Sequence, residues 1–180
     1  DTANYSAETA SVSVTLTGAA NGSATGAGIL DTLLGIENIT GGSGNDTITA
    51  DLNANFINGN SGTDMVSYAN STAGVTLTLN GAANSTAGVG SYAAGDVLVN
   101  VENLAGSSFN DILTGDTGIN VLEGGAGNDI LNGAADNDTL YGGVGADTLI
   151  GGTGINLLDG EIGADTADYS METAAITVNL

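Results

Sequence analysis

Ten stretches of nine residues carry the same punctuation. One block reads GGSGNDTIT, ADLNANFIN and GNSGTDMVS from Gly41. A second reads GSSFNDILT, GDTGINVLE, GGAGNDILN, GAADNDTLY, GGVGADTLI, GGTGINLLD and GEIGADTAD from Gly106. A fixed internal period constrains a fold more than any single motif, because each unit must bury its apolar residue against its neighbours. The first position is Gly in nine of the ten, with Ala50 the exception, and the fourth is Gly in seven. Among the fourth-position departures, Asn53 and Asp136 tolerate a left-handed backbone and Phe109 does not. The sixth is Asp in seven and Asn in three, and the eighth is always apolar. One inward residue between polar or smaller neighbours is the signature of a very short strand. Each nonapeptide is therefore a turn plus a strand, and two of them make one flattened coil of 18 residues. The expected fold is all-β: a right-handed parallel β-roll, or β-solenoid, of stacked 18-residue coils with some wider ones.

Successive turns fall on opposite edges of such a coil, so turns on one edge recur every 18 residues. Asp111, Asp129, Asp147 and Asp165 share an edge at that spacing, and Asn120, Asp138 and Asn156 share the other. In the first block Asp46 and Asp64 share an edge, with Asn55 opposite. Parallel strands stack at ~4.8 Å. Ionised carboxylates held that close repel by several kcal/mol per pair when partly desolvated. The chain holds 21 acidic residues and no Lys, Arg or His, so nothing within it neutralises them. A hard cation that takes oxygen ligands, two carboxylates and several turn carbonyls, answers the need, and that is Ca2+ chemistry. Glycines at Gly41, Gly44, Gly59, Gly62, Gly124, Gly127, Gly142 and Gly145 form the turns that would aim those carbonyls inward. The metal candidates are Asp46, Asp64, Asp111, Asp129, Asp147 and Asp165. Asp138 is the weaker ligand because its neighbours are Asn. Asn55, Asn120 and Asn156 bring no charge, and a hydrogen-bonded Asn/Asp ladder is the alternative there.

At these residues the chain resembles the RTX, or haemolysin-type calcium-binding repeat, family, whose pattern is G-G-x-G-x-D-x-U-x with U aliphatic. GGSGNDTIT, GGAGNDILN and GGVGADTLI match it in full. GDTGINVLE and GGTGINLLD depart from it at the sixth position. The resemblance implies a parallel β-roll, folding driven by calcium outside the cell, and type I secretion without a cleaved N-terminal leader. Toxins, proteases, lipases, adhesins and surface-layer proteins carry such repeats, so the resemblance fixes the module and not the task.

A longer cycle surrounds the nonapeptides. DTANYSAETASVSVTL from Asp1, DMVSYANSTAGVTLTL from Asp64 and DTADYSMETAAITVNL from Asp165 are copies of one element with a Tyr and then an alternating strand. The first two lead through a Gly/Ala-rich loop to DTLLGIENIT and DVLVNVENLA. The expected organisation is a strand element and linking coil over 1–40, three nonapeptides over 41–67, a second strand element and linking coil over 68–105, seven nonapeptides over 106–168 and the start of a third strand element over 169–180, all in one continuous solenoid. The cycle is entered part-way at Asp1 and left part-way at Leu180, as expected either of a window on a longer tandem array or of ends that meet copies of themselves.

Without a cation the chain has no counterpart for phosphate, which argues against nucleic acid and anionic lipid as partners. No apolar run is long enough for a membrane span, so no membrane insertion is expected. Without His, Lys, Arg or Cys there is no common base or thiolate, and no enzyme is expected. The expectation is an extracellular or cell-surface structural protein, a filament, surface-layer or adhesin-stalk component. Its main partner would be itself, as a homo-oligomer or filament bridged by calcium, with cell-surface polysaccharide a second partner class. The alternative is a calcium-responsive C-terminal secretion and folding module of a larger type I-secreted enzyme or toxin.

Overall fold

A computed structural model describes residues 1–18, 20–81 and 86–172, without the side chains of 86–88. Among the described residues the regular structure is all strand, and most strands are three residues long. Strands this short follow from the repeat, since within the strand only the eighth position is committed to the interior, as at Ile48, Ile57, Val66, Leu113, Leu122, Leu131, Leu140 and Leu149. Ile48, Val66, Leu104, Leu122 and Leu140 stack in register in one sheet. Ile39, Ile57 and Leu98 stack in a second, and Leu77, Leu113, Leu131 and Leu149 in a third. All of these are buried to 2 % exposure or less. Each contributes ~1.5–3 kcal/mol on burial, and no single nonapeptide could bury its own.

The first of these sheets is the long one. It runs from Leu157–Asp159 through Thr139–Gly145, Val121–Ala126, Asn103–Ala105, Met65–Ser67 and Thr47–Thr49 to Val12–Thr15. Opposite it lie a four-stranded sheet, Thr2–Asn4, Asn38–Thr40, Phe56–Asn58 and Val97–Val99, and a six-stranded one. The latter runs from Thr86–Val89 and Thr76–Thr78 through Ile112–Thr114, Ile130–Asn132 and Thr148–Ile150 to Thr166–Ala167. The chain alternates between the two sides, which is the winding of a β-roll.

Among the described residues three pairings are antiparallel, and they lie in the wider coils. The Gly/Ala-rich segment expected to be a loop contains a strand, Gly22–Gly26, which pairs antiparallel with Val12–Thr15 and with Ile29–Leu33. Small residues permit this: a Cβ on Gly22 would strike the Thr15 carbonyl across the sheet at 2.5 Å. In the second cycle Thr86–Val89 pairs antiparallel with Thr76–Thr78. The strand expected at Ile176, Val178 and Leu180 lies outside the described residues. Of the tyrosines in the recurring element, Tyr5 and Tyr68 are buried, whereas Tyr169 is 38 % exposed.

Candidate metal centre

The sixth position opens each short strand, so its side chain lies where turn and ladder meet. Asp46 N–H donates to Asp64 Oδ1 at 2.7 Å, Asp111 N–H to Asp129 Oδ1 at 2.7 Å and Asp129 N–H to Asp147 Oδ1 at 2.8 Å. Asp147 N–H donates to Asp165 Oδ1 at 3.0 Å. One carboxyl oxygen of each Asp is thus fixed on the coil 18 residues before it, and the expected edge columns are present. The fifth position clamps the other way: Asn45, Asn110, Asn128 and Asn137 accept N–H groups of residues 18 later through Oδ1. The Asn-Asp pair therefore holds the coil on both sides, a role beyond that of turn residues.

The second carboxyl oxygen divides the turns into two kinds. Asp46 Oδ2 accepts the Gly42 N–H and Asp111 Oδ2 the Ser107 N–H, both at 2.6 Å. In the same way Asn120 Oδ1 accepts the Asp116 N–H. In these turns the second-position residue lies outside the left-handed region. In the others it is left-handed: Asn60 (φ 78), Gly125 (φ 103), Ala134 (φ 75), Gly143 (φ 103), Gly152 (φ 75) and Glu161 (φ 59). The turns of Asn60, Gly125, Ala134 and Gly143 leave Oδ2 of Asp64, Asp129, Asp138 and Asp147 buried with no hydrogen-bond partner. A left-handed backbone costs a residue with a Cβ ~1–2 kcal/mol. Each non-Gly case is held by a side chain two residues earlier. Asn60, Ala134 and Glu161 donate their N–H to Oδ1 of Asn58, Asn132 and Asp159, at 3.0, 3.0 and 3.1 Å.

These free oxygens converge with main-chain carbonyls. A Cβ on Gly124 would overlap both Asp129 Oδ2 and the Gly142 carbonyl oxygen of the next coil. Gly133 stands likewise between Asp138 Oδ2 and the Gly151 carbonyl, and Gly142 between Asp147 Oδ2 and the Gly160 carbonyl. The first-position glycines Gly41, Gly59, Gly124 and Gly142 are thus required for space, whereas Gly62, Gly127 and Gly145 at the fourth position are left-handed. Gly44, also at the fourth position, is not left-handed and is required by its close approach to the Ala10 backbone.

Among the described residues no three acidic side chains gather as an all-carboxylate metal cluster. The donor set is instead carboxylate plus carbonyl, all oxygen, and a buried carboxylate oxygen without a partner needs a proton or, once ionised, a cation. That set fits Ca2+, which when bound supplies positive charge between the turns. Asp64, Asp129, Asp138 and Asp147 are the residues best placed to hold it. Asp165 carries on the column but is exposed. Asp46 and Asp111, also expected as ligands, already have both oxygens hydrogen-bonded.

The Asn positions bridge the coils differently. Asn55 Nδ2 donates to the Glu37 carbonyl at 2.9 Å and Asn120 Nδ2 to the Glu102 carbonyl at 2.7 Å. An amide N–H there does without charge what a cation does beside Asp. Asn156 Nδ2 turns to the Gly152 carbonyl in its own turn. Asp138 sits in the hydrogen-bonded ladder, with Asn120 N–H on its Oδ1 and its own N–H on Asn156 Oδ1, and still keeps a free Oδ2.

Burial pushes the Asp64 carboxyl up to about 7, with Asp46 and Glu102 adding to the rise. It pushes Asp129 to about 6, aided by Asp111 and Asp147, and Asp138 to about 6, aided by Asp136 and Asp116. A carboxyl whose pKa is higher in the fold than in the open chain binds its proton more tightly when folded. In chelator the roll is therefore expected to be most stable below pH ~4 and to lose that stability as pH rises through 6 to 7. Urea unfolding in chelator across that range measures it, and a midpoint rising from pH 5 to pH 8 would contradict it.

Two sixth-position acids were not evident in the nonapeptide alignment. Glu102 Oε2 accepts the Asp64 N–H at 2.8 Å, and Asp96 Oδ1 accepts the Asn55 N–H at 2.7 Å. Asp96 is wholly buried and its Oδ2 accepts the Tyr68 O–H at 2.9 Å. Burial drives the Tyr68 hydroxyl well above its ordinary pKa. Tyr5 and Asp31 repeat this pairing at 3.2 Å in the first cycle. The D-x-L spacing in DTLL and DVLV is the signal that could have marked Asp31 and Asp96.

A family model described as the RTX calcium-binding nonapeptide repeat (4 copies) matches residues 31–66, 105–140 and 141–169, more than half of the chain. A search of curated proteins returned no match.

Proposed function

Because the chain belongs to the RTX calcium-binding nonapeptide repeat family, we propose that it is a calcium-stiffened structural rod of an extracellular filament, surface layer or adhesin stalk. RTX repeats bind calcium and are typical of secreted proteins. The observation that carries the structural reading is continuity. Met65–Ser67 of the first block pairs in parallel with Asn103–Ala105 of the linking coil, which pairs in turn with Val121–Ala126 of the second block. One ladder thus crosses both blocks and the segment between them. A chain committed throughout to one ladder supports length and stiffness, and calcium between its turns adds to both. With no His, Lys, Arg or Cys to act as base or thiolate, it is read as non-enzymatic. Self-association through calcium is the partner reading that follows from its charge of -21.

Sedimentation and electron microscopy of the purified chain in ~1 mM calcium, the range of extracellular calcium modules, and in chelator test this. Elongated, chelator-reversible assemblies are the expected result. A species that stays unassembled in both conditions removes the mechanism. If such a monomer still folds on calcium, the secretion and folding module of a larger enzyme or toxin becomes the better reading.

A further inference from the structure

The turn between Val97–Val99 and Asn103–Ala105 has neither the glycines nor the Asp of a nonapeptide. It spans residues 100–102, against 59–64 between Phe56–Asn58 and Met65–Ser67. It nevertheless stacks on the Gly59–Asp64 turn as a repeat would. Glu102 Oε2 takes the Asp64 N–H at 2.8 Å, the bond that Asp64 Oδ1 makes to Asp46 N–H at 2.7 Å. The Asn100 carbonyl converges with Asp64 Oδ2 on Gly59, as the Gly142 carbonyl does with Asp129 Oδ2 on Gly124. Asp64 is 1 % exposed and its Oδ2 has no hydrogen-bond partner. Asn60 (φ 78) below and Asn100 (φ 50) above are both left-handed, strain that a functional turn can justify.

We propose that Asp64, Glu102 and the Asn100 carbonyl form a further calcium site, seated between the first repeat block and the linking coil. The proposal rests on the calcium reading of the repeats above. A short turn cannot carry a carboxylate as far back as a nonapeptide does, and the extra methylene of Glu makes up the reach. Two carboxylates and a carbonyl are hard oxygen donors, the set calcium takes. The site makes the acidic column on this edge continuous from Asp46 through Asp64 to Glu102. Beyond it Asn120 Nδ2 closes on the Glu102 carbonyl, so the column passes from cation bridging to amide bridging at that coil.

Equilibrium dialysis of the whole chain against calcium at pH 8, with circular dichroism to follow the fold, tests the site. Glu102→Gln keeps an oxygen for the Asp64 N–H and removes the charge. It is expected to bind one ion fewer than the wild type at the same β content. Glu102→Asp keeps the charge on a shorter arm and is expected to retain the ion with affinity about tenfold weaker, ~1.4 kcal/mol. Should Glu102→Gln fail to fold in calcium, the Glu102→Asp comparison decides. Unchanged stoichiometry and affinity in both variants would overturn this site alone and leave the repeats as calcium binders. A wild-type chain that takes up no calcium would overturn the repeat reading and this site with it.

Discussion

In chelator at pH 8 the chain is expected to lose most of its β structure and to regain it on addition of calcium. At that pH the buried carboxylates are ionised, since the highest value resolved among them is about 7. Stacked ~4.8 Å apart at an effective dielectric near 20, each facing pair of unit charges repels by ~3–4 kcal/mol. Asp111, Asp129 and Asp147 make two such buried pairs in one column, and Asp46 and Asp64 a third. Their sum, ~10 kcal/mol, is comparable with the whole stability of an ordinary domain, ~5–15 kcal/mol. Backbone N–H groups on each Oδ1 relieve part of this, but the buried Oδ2 atoms of Asp64, Asp129, Asp138 and Asp147 have no such partner. The aliphatic column has little to spare against this, because one inward side chain per nine residues must already offset the entropy of ordering all nine. Metal binding energy is then folding energy. Far-UV circular dichroism during a calcium titration reads the transition, and a chain fully β in chelator at pH 8 would refute the account.

The repeat made the coil legible because its period, its inward residue and its Asp all recur at fixed offsets. Leu113, Leu131 and Leu149 stack as the spacing requires, and so do the sixth-position acids. What the alignment concealed is set between repeats. Whether Oδ2 is free depends on the backbone at the second position. There Ala134 and Glu161 are left-handed only because Asn132 and Asp159, belonging to the preceding unit, hold their N–H groups. In a nine-residue register Asn132 and Asp159 look like scattered polar residues at the ninth position. Glu102 was hidden for another reason: its turn is shorter and without glycine, so it occupies the ladder position without the motif. The hairpin of Gly22–Gly26 and Ile29–Leu33 was hidden because small residues that permit a close antiparallel approach read as a loop.

Asp129→Asn is expected to cost about two bound calcium ions. Asn120→Ala is expected to cost none. Asp129 lies mid-column: its Oδ1 takes the Asp111 N–H, its own N–H bonds to Asp147, and its free Oδ2 faces the Gly142 carbonyl. Asn at this place keeps the Oδ1 bond and hence the register, and it removes only the charge shared with the coils on either side. At calcium concentrations ~100 times the dissociation constant each lost site forfeits ~2.7 kcal/mol, or roughly 5 kcal/mol for two. In a chain of this size that lowers the thermal midpoint by about 10–20 °C. Asp111→Asn should cost one ion at most, because both Asp111 oxygens are already hydrogen-bonded by Val75, Ser107 and the Ser107 hydroxyl. Asn120→Ala removes the bonds to Asp116 N–H and to the Glu102 carbonyl, a loss of ~1–3 kcal/mol that calcium does not modulate. The two variants are therefore separated by calcium dependence: the Asp129 deficit grows with added calcium, while the Asn120 deficit stays constant. Equal loss of bound calcium in both would remove the distinction between cation-bridged and amide-bridged turns.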